Sequence, residues 1–92
     1  MTRGEKLLLA HKTREQLEDY LSRYDLEIRL QSPPRHLEPI ATVCALLLDR
    51  LSACTGATLE TRAFADRIGT LTARAIEIWK RPAAAPVLRL VQ

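Results

Sequence analysis

Three runs of apolar residues recurring at spacings of three and four constrain this chain more than any other feature. In the first, Ala10, Thr13, Leu17, Tyr20, Leu21, Tyr24 and Ile28 line one stripe of a helix that begins near Arg3. In the second, Ile40, Cys44, Leu47, Leu48 and Leu51 form an inner face, and Val43 and Leu46 widen its apolar arc past what a surface helix requires. The third carries Phe64, Ile68, Leu71, Ala75 and Ile78 as an unbroken seam. A helix with one apolar stripe must bury it against another element, and three such helices bury theirs against each other. The expected fold is therefore all-α, a three-helix bundle with helices near 3–24 or 3–30, 37–54 and 58–81, the second being central and touched on two sides.

The breaks between these runs are chemically explicit. Ser32-Pro33-Pro34 stops regular structure, because paired prolines remove donors and hold their neighbours extended. The second helix is expected from Leu37 with Pro39 in its first turn, ending before Gly56. Thr58 is the expected N-cap of the third, and the short connection makes the last two helices antiparallel neighbours. Leu26, Ile28 and Leu30 also alternate with Glu27, Arg29 and Gln31, so residues 26–31 read equally as a half-buried strand. A second strand-like run, 87–92, follows the Pro/Ala-rich spacer after Pro82; it could pair with 26–31 or remain a disordered tail, since a two-stranded ribbon alone is marginal in water. With 92 residues there is one core and not two, so residues 1–81 are read as a single helical domain and 82–92 as spacer and tail.

Charge and chemistry narrow the function. Fourteen Lys and Arg against eleven Asp and Glu give a net charge of +3, but the two signs are interspersed rather than gathered on one face. Nucleic acid is permitted by this balance without being favoured. The most apolar uncharged run, 39–48, is far short of the roughly 20 residues of a spanning helix, and Leu7 to Ala10 is too short for a secretory core, so no membrane and a cytoplasmic location are expected. Cys44 and Cys54 fall on one helix about 15 Å apart, beyond disulfide reach, and should remain reduced. His11 and His36 lie far from either cysteine in sequence, so no metal and no cofactor are expected. His11, Glu15 and Glu18 read as a solvated helix face rather than an acid–base pair. No nucleophile–base set or phosphate loop can be assembled, and an enzyme is not expected.

The segment Thr61-Arg62-Ala63-Phe64-Ala65-Asp66-Arg67-Ile68-Gly69, followed by Thr70 to Arg81, resembles the helix-turn-helix of bacterial DNA-binding proteins. Ala65 matches that motif's small residue, Gly69 its turn, and Phe64, Ile68, Ile76 and Trp79 its apolar anchors. The resemblance implies that Arg74, Glu77, Lys80 and Arg81 would reach phosphates and base edges. The chain departs from the motif by one inserted residue, since Leu71, Ile76 and Trp79 align only if Thr70 is looped out.

The same residues read without an insertion as one continuous helix with two faces. Beside the apolar seam, Ala65, Gly69 and Ala73 recur every four residues next to Thr72 and Ile76. Small residues admit another helix closely, so this face serves either the bundle's own packing or a dimer or partner contact. Trp79, next to Lys80 and Arg81, closes the core or anchors an interface. The expected function is a small protein–protein interaction module: an adaptor, an assembly subunit or an inhibitor of a larger complex. Its contact residues would be Ala65, Gly69, Ala73, Ile76 and Trp79, and its partner another protein or a second copy of the chain. In size and style the chain is similar to phage and mobile-element accessory factors, anti-CRISPR proteins included. A helix-turn-helix DNA-binding regulator is the alternative.

Overall fold

The computed structural model describes residues 1–80. They form three helices, α1 (Arg3–Arg29), α2 (Pro34–Thr55) and α3 (Leu59–Lys80), packed as an all-α bundle. The second strand-like run, 87–92, Arg81 and the spacer lie outside the described residues.

The start of α1 is fixed by a capping box. The Thr2 hydroxyl accepts from the Glu5 amide at 3.1 Å, and the Thr2 amide donates to the Glu5 carboxylate at 3.0 Å. Those donors hold the Glu5 carboxyl below its ordinary range. The strand-like reading of 26–31 is corrected, because α1 stays helical to Arg29. Ile28 is buried as the last member of the helical stripe, whereas Leu26 points outward and is 53% exposed, so alternate residues do not share a face. The helix ends in a Schellman arrangement: the Ser32 amide donates to the Glu27 carbonyl at 3.0 Å and the Gln31 amide to the Ile28 carbonyl at 2.9 Å. Gln31 takes the left-handed conformation, with φ of 57°, that this closure requires.

α2 begins three residues earlier than its sequence reading. Pro33 is extended and Pro34 occupies the first helical position, where its missing N–H costs nothing. Pro39 is consequently inside the helix rather than in its first turn, and cannot supply the i+4 amide donor to the Arg35 carbonyl. Gly56, at φ of 79°, ends α2 by donating to the Ser52 carbonyl at 2.7 Å. Thr58 then opens α3 as expected: its hydroxyl accepts from the Thr61 amide at 3.1 Å while its own amide donates to the Thr61 hydroxyl at 2.9 Å.

The core follows the three stripes. Leu17, Leu21, Tyr24 and Ile28 from α1 are buried with Leu37, Cys44, Leu47 and Leu51 from α2 and with Phe64, Leu71 and Ala75 from α3. α2 is in contact with both other helices, its pairing with α1 being the most extensive. Its widened arc is not evidence of that position, because Leu46 is exposed.

The candidate contact surface

α3 is set against α1 by polar pairs that fix its direction and register. Arg14 grips the Glu60 carboxylate with two N–H groups, Nε to one oxygen and Nη2 to the other at 2.8 Å. This fork raises the Arg14 guanidinium further still. Arg67 donates to Glu18 at 2.8 Å, and Arg74 lies 3.4 Å from Asp25, which also holds Arg29 at 3.1 Å. The Tyr24 hydroxyl meets the Thr72 hydroxyl at 2.9 Å. Residue numbers rise together along both helices, so α1 and α3 run parallel and α2 returns between them.

This anchoring decides how α3 presents its other side. Phe64, Leu71 and Ala75 face the core, Ile68 and Ile78 pack against it, and Glu60, Arg67 and Arg74 are turned to α1. Ala65, Gly69 and Ala73 are left exposed, with Ile76 39% exposed beside them. The option that this face serves the packing of the three helices is therefore corrected, since none of the described residues covers it. Beyond its own helical turns, a side-chain carbon at Gly69 would meet no atom of the described residues within 4 Å, so none of these residues requires the glycine. Trp79 sits with the core rather than on this open face, half-buried, with its indole N–H enclosed and unpartnered among the described residues.

The break that a helix-turn-helix needs between Gly69 and Thr72 is not there, because α3 is one α-helix from Leu59 to Lys80. The seam of Phe64, Leu71 and Ala75 at helical period lets the chain continue through Gly69 at a cost of only about 1 kcal/mol. Of the four residues the DNA reading singled out, Arg74 is engaged with Asp25, Glu77 and Lys80 are exposed on α3, and Arg81 lies outside the described residues.

The remaining polar chemistry is dispersed. His11 and Glu15 form an exposed pair at 3.5 Å, one turn apart. Among the described residues no three His, Cys, Asp or Glu side chains gather as a metal site would require, and no helix is long and apolar enough to cross a membrane. Both cysteines are free, Cys44 buried and Cys54 partly so. Burial pushes the Cys44 thiol up to about 11, against a smaller opposite pull from Arg67. Sequence reasoning missed the α1–α3 pairs. Their signal was present, for Glu60, Arg67 and Arg74 recur every seven residues, as do Glu18 and Asp25. Comparison with protein-family models, curated proteins and solved structures finds no match.

Proposed function

We propose that this chain is a small protein–protein interaction module, an adaptor, assembly subunit or inhibitor, which presents the outer face of α3 to a partner helix. The observation that carries this reading is Gly69. An exposed glycine in a helix interior costs about 1 kcal/mol relative to alanine, and here no neighbour among the described residues needs the space. With Ala65 and Ala73 one turn to either side, it opens an uncharged stripe on which a second backbone can approach closely. Ile76 supplies an apolar contact at one end of the stripe. The unbroken course of α3 favours this reading over a DNA-binding regulator.

Photocrosslinking tests it. With p-benzoylphenylalanine at position 69, a discrete adduct should form in the native host and should be lost on Ala73→Arg, while the same probe at Gln16, on the exposed side of α1, forms none. No adduct at position 69, or the same adduct at both positions, would refute the assignment. The DNA alternative is checked by fluorescence anisotropy, where the mixed charge pattern should give weak, strongly salt-dependent binding without sequence preference. A duplex preferred about a thousandfold at physiological salt would restore the regulator.

A further inference from the structure

α3 does not reach the first two turns of α1. Its contacts with α1 pair Glu18 with Arg67, Tyr24 with Thr72 and Asp25 with Arg74, a register that sets Leu59 near the level of residues 10–11, so residues 3–9 of α1, about 10 Å of helix, lie below the level at which α3 begins. Leu7 stands seven residues before Arg14, two turns lower on the line that Arg14 and Leu21 continue. Higher up this line lies against α3; at Leu7 none of the described residues covers it, and the side chain is 65% exposed. α2 does extend to this level, because Cys54 shares with Met1, Arg3, Lys6 and Leu7 a hollow of about 380 Å³. The result is a notch walled by α1 and α2, in line with the position that a third helix fills above.

The notch has a charge of definite sign. Arg3 and Lys6 make no ion pair among the described residues. The one carboxylate in the first turn of α1, Glu5, is turned back onto Thr2 in the capping box. The apolar lining of Leu7 and Met1, both exposed, is thus bordered by two cations without an ion-pair partner among the described residues. A flat bilayer would touch exposed Leu7 and Met1 but not the half-buried Cys54 beside them, whereas a helix fits a hollow between two helices.

We propose that this notch receives an acidic amphipathic helix of a partner protein, which lays apolar residues on Leu7 and Met1 and places carboxylates against Arg3 and Lys6. The site is separate from the Gly69 face and does not depend on it.

The test uses the full chain and a fluorescent synthetic helix of about five turns, with Leu on one face and Glu on the other, beside a second peptide in which every Glu is Lys. The acidic peptide should bind with an affinity that falls as salt rises, should slow alkylation of Cys54, and should outcompete the basic peptide by at least about tenfold. Leu7→Glu should abolish binding and Lys6→Glu should weaken it about tenfold, with thermal melting unchanged because both side chains are exposed. Gly69→Leu should leave it intact, which separates this proposal from the α3 reading. Equal binding of the two peptides, or full retention by Leu7→Glu, would overturn it. Leu7-dependent binding to phosphatidylglycerol vesicles, or Leu7-dependent self-association in sedimentation, without binding of the acidic peptide would also overturn it.

Discussion

The two seams that α1 makes are closed by different chemistry. Toward α2 the contact is the most extensive in the molecule, and among the described residues no ion pair crosses it. Toward α3 the contact is slighter, and three Arg–carboxylate pairs and the Tyr24–Thr72 hydrogen bond cross it. Apolar burial supplies most of the stability, because partly exposed ion pairs contribute only about 0–1 kcal/mol each. What the charges add is register. If α3 slid by one heptad so that Arg67 took the place of Glu60, it would face Arg14; slid the other way, Glu60 would face Glu18. Either slip sets one like-charged pair opposite and keeps only one Arg–carboxylate pair, so the order of signs, one acid then two arginines on α3 against one arginine then two acids on α1, favours the observed alignment.

The comparison is broken most severely from its apolar side. Leu17 is fully buried, and Leu17→Ala should lower stability by about 2–5 kcal/mol in denaturant melts, through lost burial and the cavity left behind. A loss below 1 kcal/mol would mean that the α1 stripe is not the core. Thr13 sharpens the same point, because it is fully buried on that stripe with its hydroxyl unpartnered among the described residues. Thr13→Val should raise stability by about 1 kcal/mol, as an unsatisfied buried hydroxyl is replaced by a methyl of similar size.

The polar seam is tested by charge reversal. Arg14→Glu and Glu60→Arg should each destabilise the fold, while the double variant recovers most of the loss, with a coupling of about 0.5–1 kcal/mol that shrinks at high salt. Simple additivity of the two changes would show that α3 does not lie on α1 in this register. A last and smaller effect belongs to alkaline pH. The unfolded Cys44 thiol ionises near its ordinary value of 9.0 and the folded one near about 11, so the unfolded state releases its proton first and stability falls as pH rises through that window. Cys44→Ala should flatten this part of the stability profile relative to the parent. In the native protein at pH 8, Cys54 should alkylate well ahead of Cys44.

The apolar half of this architecture was legible from spacing alone. Leu17, Leu21, Tyr24 and Ile28, then Cys44, Leu47 and Leu51, then Phe64, Leu71 and Ala75 all emerge buried, because a period of 3.6 places them on one face whatever the partner. Helix ends were less legible. Residues 26–31 satisfy a two-residue period as well as a helical one, and the choice was made by burial of Ile28 together with the Schellman closure at Gln31. Pro39 read as a first-turn proline because nothing local shows that Pro34 already starts the helix. The charged ladder was hidden for a different reason: Arg14 and Glu60 become neighbours only once the direction and register of α3 are known, and those are properties of the packed bundle. The open face of α3 was visible as a run of small residues, but whether it pointed inward or outward depended on the same register.

That α3 is a single helix held parallel to α1 underlies both the position of the Gly69 face and the uncovered notch near Leu7. NMR of the full chain tests it most directly. Uninterrupted helical Cα shifts from Leu59 to Lys80, sequential amide contacts through Gly69, Thr70 and Leu71, and cross-helix contacts between Tyr24 and Thr72 are the expected result. Non-helical shifts and a lost run of amide contacts between Gly69 and Thr72, with no Tyr24–Thr72 contact, would contradict it and return the segment to two helices joined by a turn.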